Sequence, residues 1–185
     1  MENEDIVDPI MKYGKDVINS DIFRSGFHQR HHMKMTVADH SMDVTITALK
    51  ISHALNRLHI HTDEKTIVEG ALCHDLGILG RDEKFHSNHE MSVMHPILSV
   101  DETKKLIPDM DEKLEGVVRR HMWPASDITM PPNSKEGLIV MLADKYSATC
   151  EFMAIAVGRR FKAKAREELC DICIEPTSAA AAQPA

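Results

Sequence analysis

Six side chains capable of chemistry, His40, His74, Asp75, His95, His121 and Asp144, interrupt otherwise apolar or helix-patterned stretches of the 185-residue sequence. The most conspicuous are neighbours: in "ALCHDLGILGRD", from Ala71 to Asp82, His74 and Asp75 close an apolar run. A buried polar group without a partner costs roughly 1–3 kcal/mol, so a core does not accept a series of them separately. One shared metal centre satisfies them together. Imidazole nitrogen and carboxylate oxygen are ligands of zinc, iron, manganese, cobalt and nickel, and the set lacks the thiolates of a structural zinc site. Neighbours within a helix point about 100° apart, so His74 and Asp75 can turn toward one point only at a helix end. A carboxylate placed there can bridge two metal ions.

Helical periodicity supplies the elements that must carry these residues. In "TVADHSMDVTITALKISHALNRL", Val37, His40, Val44, Ala48, Ile51 and Leu55 share a stripe at three- and four-residue steps, which turns His40 inward. Thr36 and Asp39 form the T-x-x-D start signal of that helix. A second helix opens after Thr62, and Gly77 suits its C-terminal end, so His74 and Asp75 fall in its last turn. Residues 80–90 are polar and aperiodic and read as a loop, with Ser87 or Asn88 as the next cap. A helix around His95 to Leu106 is broken at "IPDMD", where Asp111 caps another with Leu114, Val117, Val118 and His121 on one face. Asn133 and Glu136 make an N-x-x-E start for a long helix that carries Asp144 on its apolar side.

No internal repeat and no strand pattern emerges, and the predicted fold is an all-α, single-domain helical bundle. Its expected organisation is an N-terminal helical or loop extension over 1–29, a core over 30–158, a charged helix over 159–173 and a disordered tail over 174–185. Aromatic residues are 4% of the chain and methionines number 12, a composition that suits a Leu/Met/Ile-packed helical core better than a β-sandwich. The formal net charge of -7 argues against a face that neutralises many phosphates of a nucleic-acid polymer. Without a long apolar run, and with an acidic N-terminus, a cytoplasmic protein is expected rather than a membrane protein. Cys73, Cys150, Cys170 and Cys173 show no paired metal-finger spacing and read as ordinary reduced thiols. The basic residues between Arg159 and Arg166 read as a solvated helix face.

The order H…HD…H…H…D, with His40 in "TVADHSMDV", His74 and Asp75 in "LCHDLGILG", His95 in "MHPILSV", His121 in "VVRRHMWP" and Asp144 in "MLADKYSATCE", resembles the HD-domain superfamily of metal-dependent phosphohydrolases. The resemblance runs from about Arg30 to Glu151. It implies an HD-type helical bundle in which His40, His74, Asp75 and Asp144 hold one divalent transition metal. Asp75 would then bridge to a second metal held by His95 and His121, as in a binuclear branch of that superfamily. The implied chemistry is cleavage of a phosphomonoester or phosphodiester of a small molecule, with nucleotides among the candidate classes, by a metal-bound hydroxide, with Asp75 in the catalytic set.

Two alternatives share this ligand set. One is an HD-domain di-iron oxygenase; the other is a metal-binding sensor module without turnover. The sequence lacks the lysine and the HHE and GYP signatures of HD-GYP cyclic-dinucleotide phosphodiesterases, which argues against that substrate. Arg81, close after the HD turn, is the candidate to grip phosphate bidentately, set against an equal reading as a solvated loop charge. His31 and His32 are candidates for the mouth of the site, whereas His86 and His89 read as exposed loop residues. Trp123 either stacks on a base or sugar or plugs its loop against the bundle. The expected partner is a small phosphorylated substrate, with no nucleic-acid polymer or membrane, and a homodimer is left open.

Overall fold

Residues 4–31 and 35–156 are described by the computed structural model of the chain. His32, the helix expected over 159–173 and the tail expected over 174–185 lie outside them. The described residues form α-helices α1 (Glu4–Asn19), α2 (Asp21–Ser25), α3 (Val37–Arg57), α4 (Glu64–Cys73), α5 (Arg81–Lys84), α6 (Asn88–Leu106), α7 (Glu112–Arg120) and α8 (Lys135–Ala156), with a 3-10 turn at Leu76–Ile78. The chain folds as an all-α bundle, and among the described residues the one bridge between extended residues, Arg30 with Thr36, belongs to no strand.

Local chemistry explains most of the helix starts. Thr36 caps α3 by accepting from the Asp39 amide at 3.1 Å, and Asp111 caps α7 by accepting from the Leu114 amide at 2.7 Å. Asp63 caps α4, accepting from the amides of Lys65 and Thr66. One of the remaining starts uses the expected cap, Ser87, ahead of the apolar period around His95, and the other differs from the sequence expectation. Helix α6 begins at Asn88, because Ser87 and Glu90 form a capping pair in which Ser87 Oγ accepts from the Glu90 amide at 3.1 Å. The first two turns are solvated, which removed the apolar period that would have revealed them. Ser134 rather than Asn133 starts α8, taking the Gly137 amide at 3.0 Å, while Glu136 accepts from the Asp63 amide at the head of α4.

Helix α3 packs against α4 and α8, α7 lies across α4 and α8, and α6 lies along the 3-10 turn. The centre of the core is Val44, Ala48 and Leu49 of α3, Ile67, Val68 and Leu72 of α4, Val117 and Val118 of α7 and Val140 of α8, all fully buried. Full burial of each such aliphatic side chain contributes about 1.5–3 kcal/mol. Helix α1 covers α4 and adds Ile6, Ile10, Val17 and Ile18 to the same core. No helix among the described residues is long and apolar enough to cross a membrane.

Candidate metal centre

The ends and inner faces of the core helices place all six sequence-predicted residues together. His40, His74 and His121 are fully buried, and His95, Asp75 and Asp144 nearly so. His40 comes from the second turn of α3, His95 from the middle of α6 and Asp144 from α8, whereas His74 and His121 occupy the C-caps of α4 and α7. Those two cap positions matter. Each imidazole there folds back on its own last turn, with Nδ1 on the carbonyl three residues earlier, Ala71 for His74 and Val118 for His121, both at 2.7 Å. His95 does the same from mid-helix, with Nδ1 on the Met91 carbonyl at 2.8 Å.

A carbonyl only accepts, so in each of these imidazoles Nδ1 carries the hydrogen and Nε2 is free to present a lone pair. The Nε2 atoms all face the centre. His95 Nε2 and His121 Nε2 stand 3.0 Å apart, with Asp75 Oδ1 at 3.2 and 3.5 Å from them. His74 Nε2 lies 3.4 Å from Asp75 Oδ2 and 3.9 Å from Asp144 Oδ1, is buried, and makes no hydrogen bond. Converging lone pairs repel unless a cation lies among them.

This donor set fits a metal. Two ligands each about 2.1 Å from one ion are about 3.0 Å apart at a right angle and about 3.4 Å apart at the tetrahedral angle, the spacing range seen here. Three overlapping groups, His40 with His74 and Asp144, His74 with Asp75 and His121, and His31 with His40 and Asp75, bring their ligand atoms within 4.8 Å of one another. Asp75 divides its oxygens, Oδ1 toward His95 and His121 and Oδ2 toward His74 and His31. A bridging carboxylate needs that division.

The structure adds two residues to the cluster. His31, buried, sets Nε2 2.8 Å from Asp75 Oδ2 and stacks on the His40 ring at 4.3 Å between centroids. It sits in a short loop strapped to the HD turn by Gln29 and Arg81. Gln29 Nε2 donates to the Ile78 carbonyl at 2.8 Å, and Arg81 Nη1 donates to the His31 carbonyl at 2.9 Å. Its polar, aperiodic surroundings had marked it only as a candidate for the mouth. Glu151 accepts from or pairs with His40 Nδ1 at 2.7 Å and carries no mark in the sequence beyond lying seven residues, about two turns, after Asp144 on α8.

The other residues considered from sequence lie elsewhere. His86 and His89 are exposed. Trp123 donates its indole N–H to the Ile128 carbonyl at 3.1 Å, which closes its loop on itself. That loop borders a groove of about 990 Å³ beside Lys113, Pro131 and Lys135, whose lining contains none of the cluster residues. Gly77 caps no helix: α4 ends at Cys73, and Gly77 lies in the 3-10 turn against α6.

Electrostatics separates the imidazoles of the metal-free protein. Burial disfavours a charge on His40, but the carboxylates of Asp144 and Glu151 outweigh it and push this imidazole up to about 10. Burial drives His74 down to about 4 against the opposing pull of Asp75. Burial likewise opposes ionisation of Asp75 and Asp144, yet the surrounding histidines hold both carboxyls well below the usual range. With His40 raised from 6.5 to about 10, its contribution to stability is complete below pH 6.5 and is lost as the pH climbs toward 10. His74 is lowered from 6.5 to about 4, so folding resists its protonation and stability falls as the pH drops from 6.5 toward 4. The thermal midpoint of chelator-treated protein is therefore expected to peak near pH 6.5 and decline on both sides, read by circular dichroism across that range. A midpoint that rises steadily from 6.5 toward 10 contradicts this assignment.

No curated protein and no solved structure gives a significant match to the chain. Residues 37–149 match the HD domain, more than half of the 185-residue sequence and the whole span from His40 to Asp144. With the helical bundle and the buried histidine and aspartate cluster in place, the chain belongs to the HD domain family.

Proposed function

We propose that the protein is a metal-dependent phosphohydrolase that cleaves a phosphomonoester or phosphodiester of a small molecule at a centre of two divalent transition metals. The observation that carries this reading is the division of Asp75, one oxygen toward His95 and His121 and the other toward His74, among imidazoles whose Nε2 atoms all point inward. His40, His74, Asp75 and Asp144 would hold one ion, and Asp75, His95 and His121 the other. Bound ions supply an activated water and neutralise charge on phosphoryl oxygens.

The protein's own contribution is positioning. Backbone carbonyls fix the rotation of His74, His95 and His121, so these ligands need little reorganisation on binding. Lys145, next to Asp144, is half-buried, and its ammonium reaches the His121 carbonyl at 3.3 Å. Burial lowers its pKa. Arg81 is one-third exposed and places one donor on the His31 carbonyl. Its Nε lies 3.6 Å from Asp82 Oδ1, and we assign the remaining guanidinium donors to the phosphoryl group at the mouth of the site.

Phosphate release from a panel of nucleotides, sugar phosphates and phosphodiesters tests this reading. The protein is loaded separately with manganese, cobalt and anaerobic ferrous iron, and a phosphomonoesterase is added to expose diester cleavage. Turnover of one substrate class is expected. Silence across the panel with metal bound, joined to dioxygen uptake by the ferrous form, overturns it in favour of the oxygenase.

A further inference from the structure

Four imidazoles of the cluster, those of His40, His74, His95 and His121, are each held through Nδ1, but not by the same kind of group. His74, His95 and His121 lean on backbone carbonyls, whereas His40 meets a carboxylate, Glu151 Oε1, at 2.7 Å. Glu151 is 8% exposed, and its second oxygen is buried without a hydrogen bond. A buried carboxylate with one oxygen unsatisfied is costly, and what offsets the cost is a strongly polarised partner. The residue also lies beyond the 37–149 span of the family match.

We propose that Glu151 is a positioning residue of the metal centre: it holds the Nδ1–H of His40 so that Nε2 faces the ion shared with His74 and Asp144, and thereby raises metal affinity. Helix α8 grips the His40 ring at both nitrogens, Glu151 on Nδ1 at 2.7 Å and Asp144 on Nε2 at 3.1 Å. When Asp144 turns its carboxylate to a metal, Glu151 is the grip that remains. It fixes the tautomer and makes Nε2 a stronger donor, as a carboxylate behind a metal-bound histidine does. The inference rests on the proposed metal centre but not on which reaction that centre performs.

The test compares full-length wild type, Glu151→Gln and Glu151→Leu for zinc affinity by chelator competition. Long-range proton–nitrogen NMR of the zinc-loaded forms reads the His40 tautomer, which a merely structural role would not move. Glu151→Leu is expected to weaken zinc binding roughly 10–100-fold and to release the tautomer. Glu151→Gln should fall between, because its amide oxygen still accepts from Nδ1–H. Wild-type zinc affinity and tautomer in both variants overturn the inference and leave the metal centre standing. No zinc in the wild type overturns the metal centre itself and this inference with it. If Glu151→Leu fails to fold, Glu151→Gln decides: undiminished affinity overturns the proposal, and a weakened one supports it.

Discussion

Asp75→Ala is expected to lose bound metal and to lower phosphate release by more than about a hundredfold. Outer partners of metal ligands already cost roughly 10–100-fold when removed, and the proposed centre puts Asp75 one step closer, among the ligands themselves. It is 3% exposed, and both its oxygens face imidazole nitrogens at 2.8 to 3.5 Å. Removing them takes a donor from each side of the cluster at once. Asp75→Asn is the stricter variant, because it keeps the shape while removing the charge that the two proposed cations would need. Metal analysis and turnover should fall together in both variants, and circular dichroism should report a retained helical fold. Full metal content with normal turnover in Asp75→Ala would sink the bridging role.

The sequence made the inner cluster legible through one physical feature: a helix period reports which face is buried, and a histidine or aspartate on that face needs a partner. His40, His121 and Asp144 followed from that rule, and the HD pair from its place at the end of an apolar run. His31 and Glu151 did not, for different reasons. His31 lies in a loop stretch without a period, and its place beside Asp75 is set by long-range straps from Gln29 and Arg81 that sequence spacing cannot express. Glu151 sits on a readable helix, but an acid seven residues after another acid is ordinary on a helix surface. What distinguishes it is the imidazole of α3 on the other side. The Ser87 cap of α6 was legible although the apolar period began only near His95, because the opening turns face water, and the role of Gly77 was hidden because close approach leaves no local signal.

That close approach sets the second large effect. Gly77→Ala is expected to destabilise the fold by roughly 3 kcal/mol, the upper part of the usual range for overpacking, and to disturb metal binding at His95. A Cβ at position 77 would lie 2.3 Å from the His95 carbonyl oxygen and 2.6 Å from the Ser99 amide nitrogen, and neither atom is on a side chain that can swing aside. The turn also ties itself to α6 through the Gly77 amide, which donates to Ser99 Oγ at 2.9 Å. To admit a methyl group, α6 must move away from the HD turn, and His95 moves with it relative to Asp75. For a chain of this size the cost corresponds to a fall of about 6–12 °C in thermal midpoint. Gly80→Ala is the contrast. Gly80 has φ +76°, but its nearest neighbour would be Lys84 Cε at 3.6 Å, so the cost there is backbone strain of about 1–2 kcal/mol without displacement of a ligand. Metal titration of the two variants separates packing from strain: Gly77→Ala should bind fewer or weaker ions, and Gly80→Ala should bind as wild type. Equal metal binding by all three proteins would mean that the contact between the HD turn and α6 does not position His95.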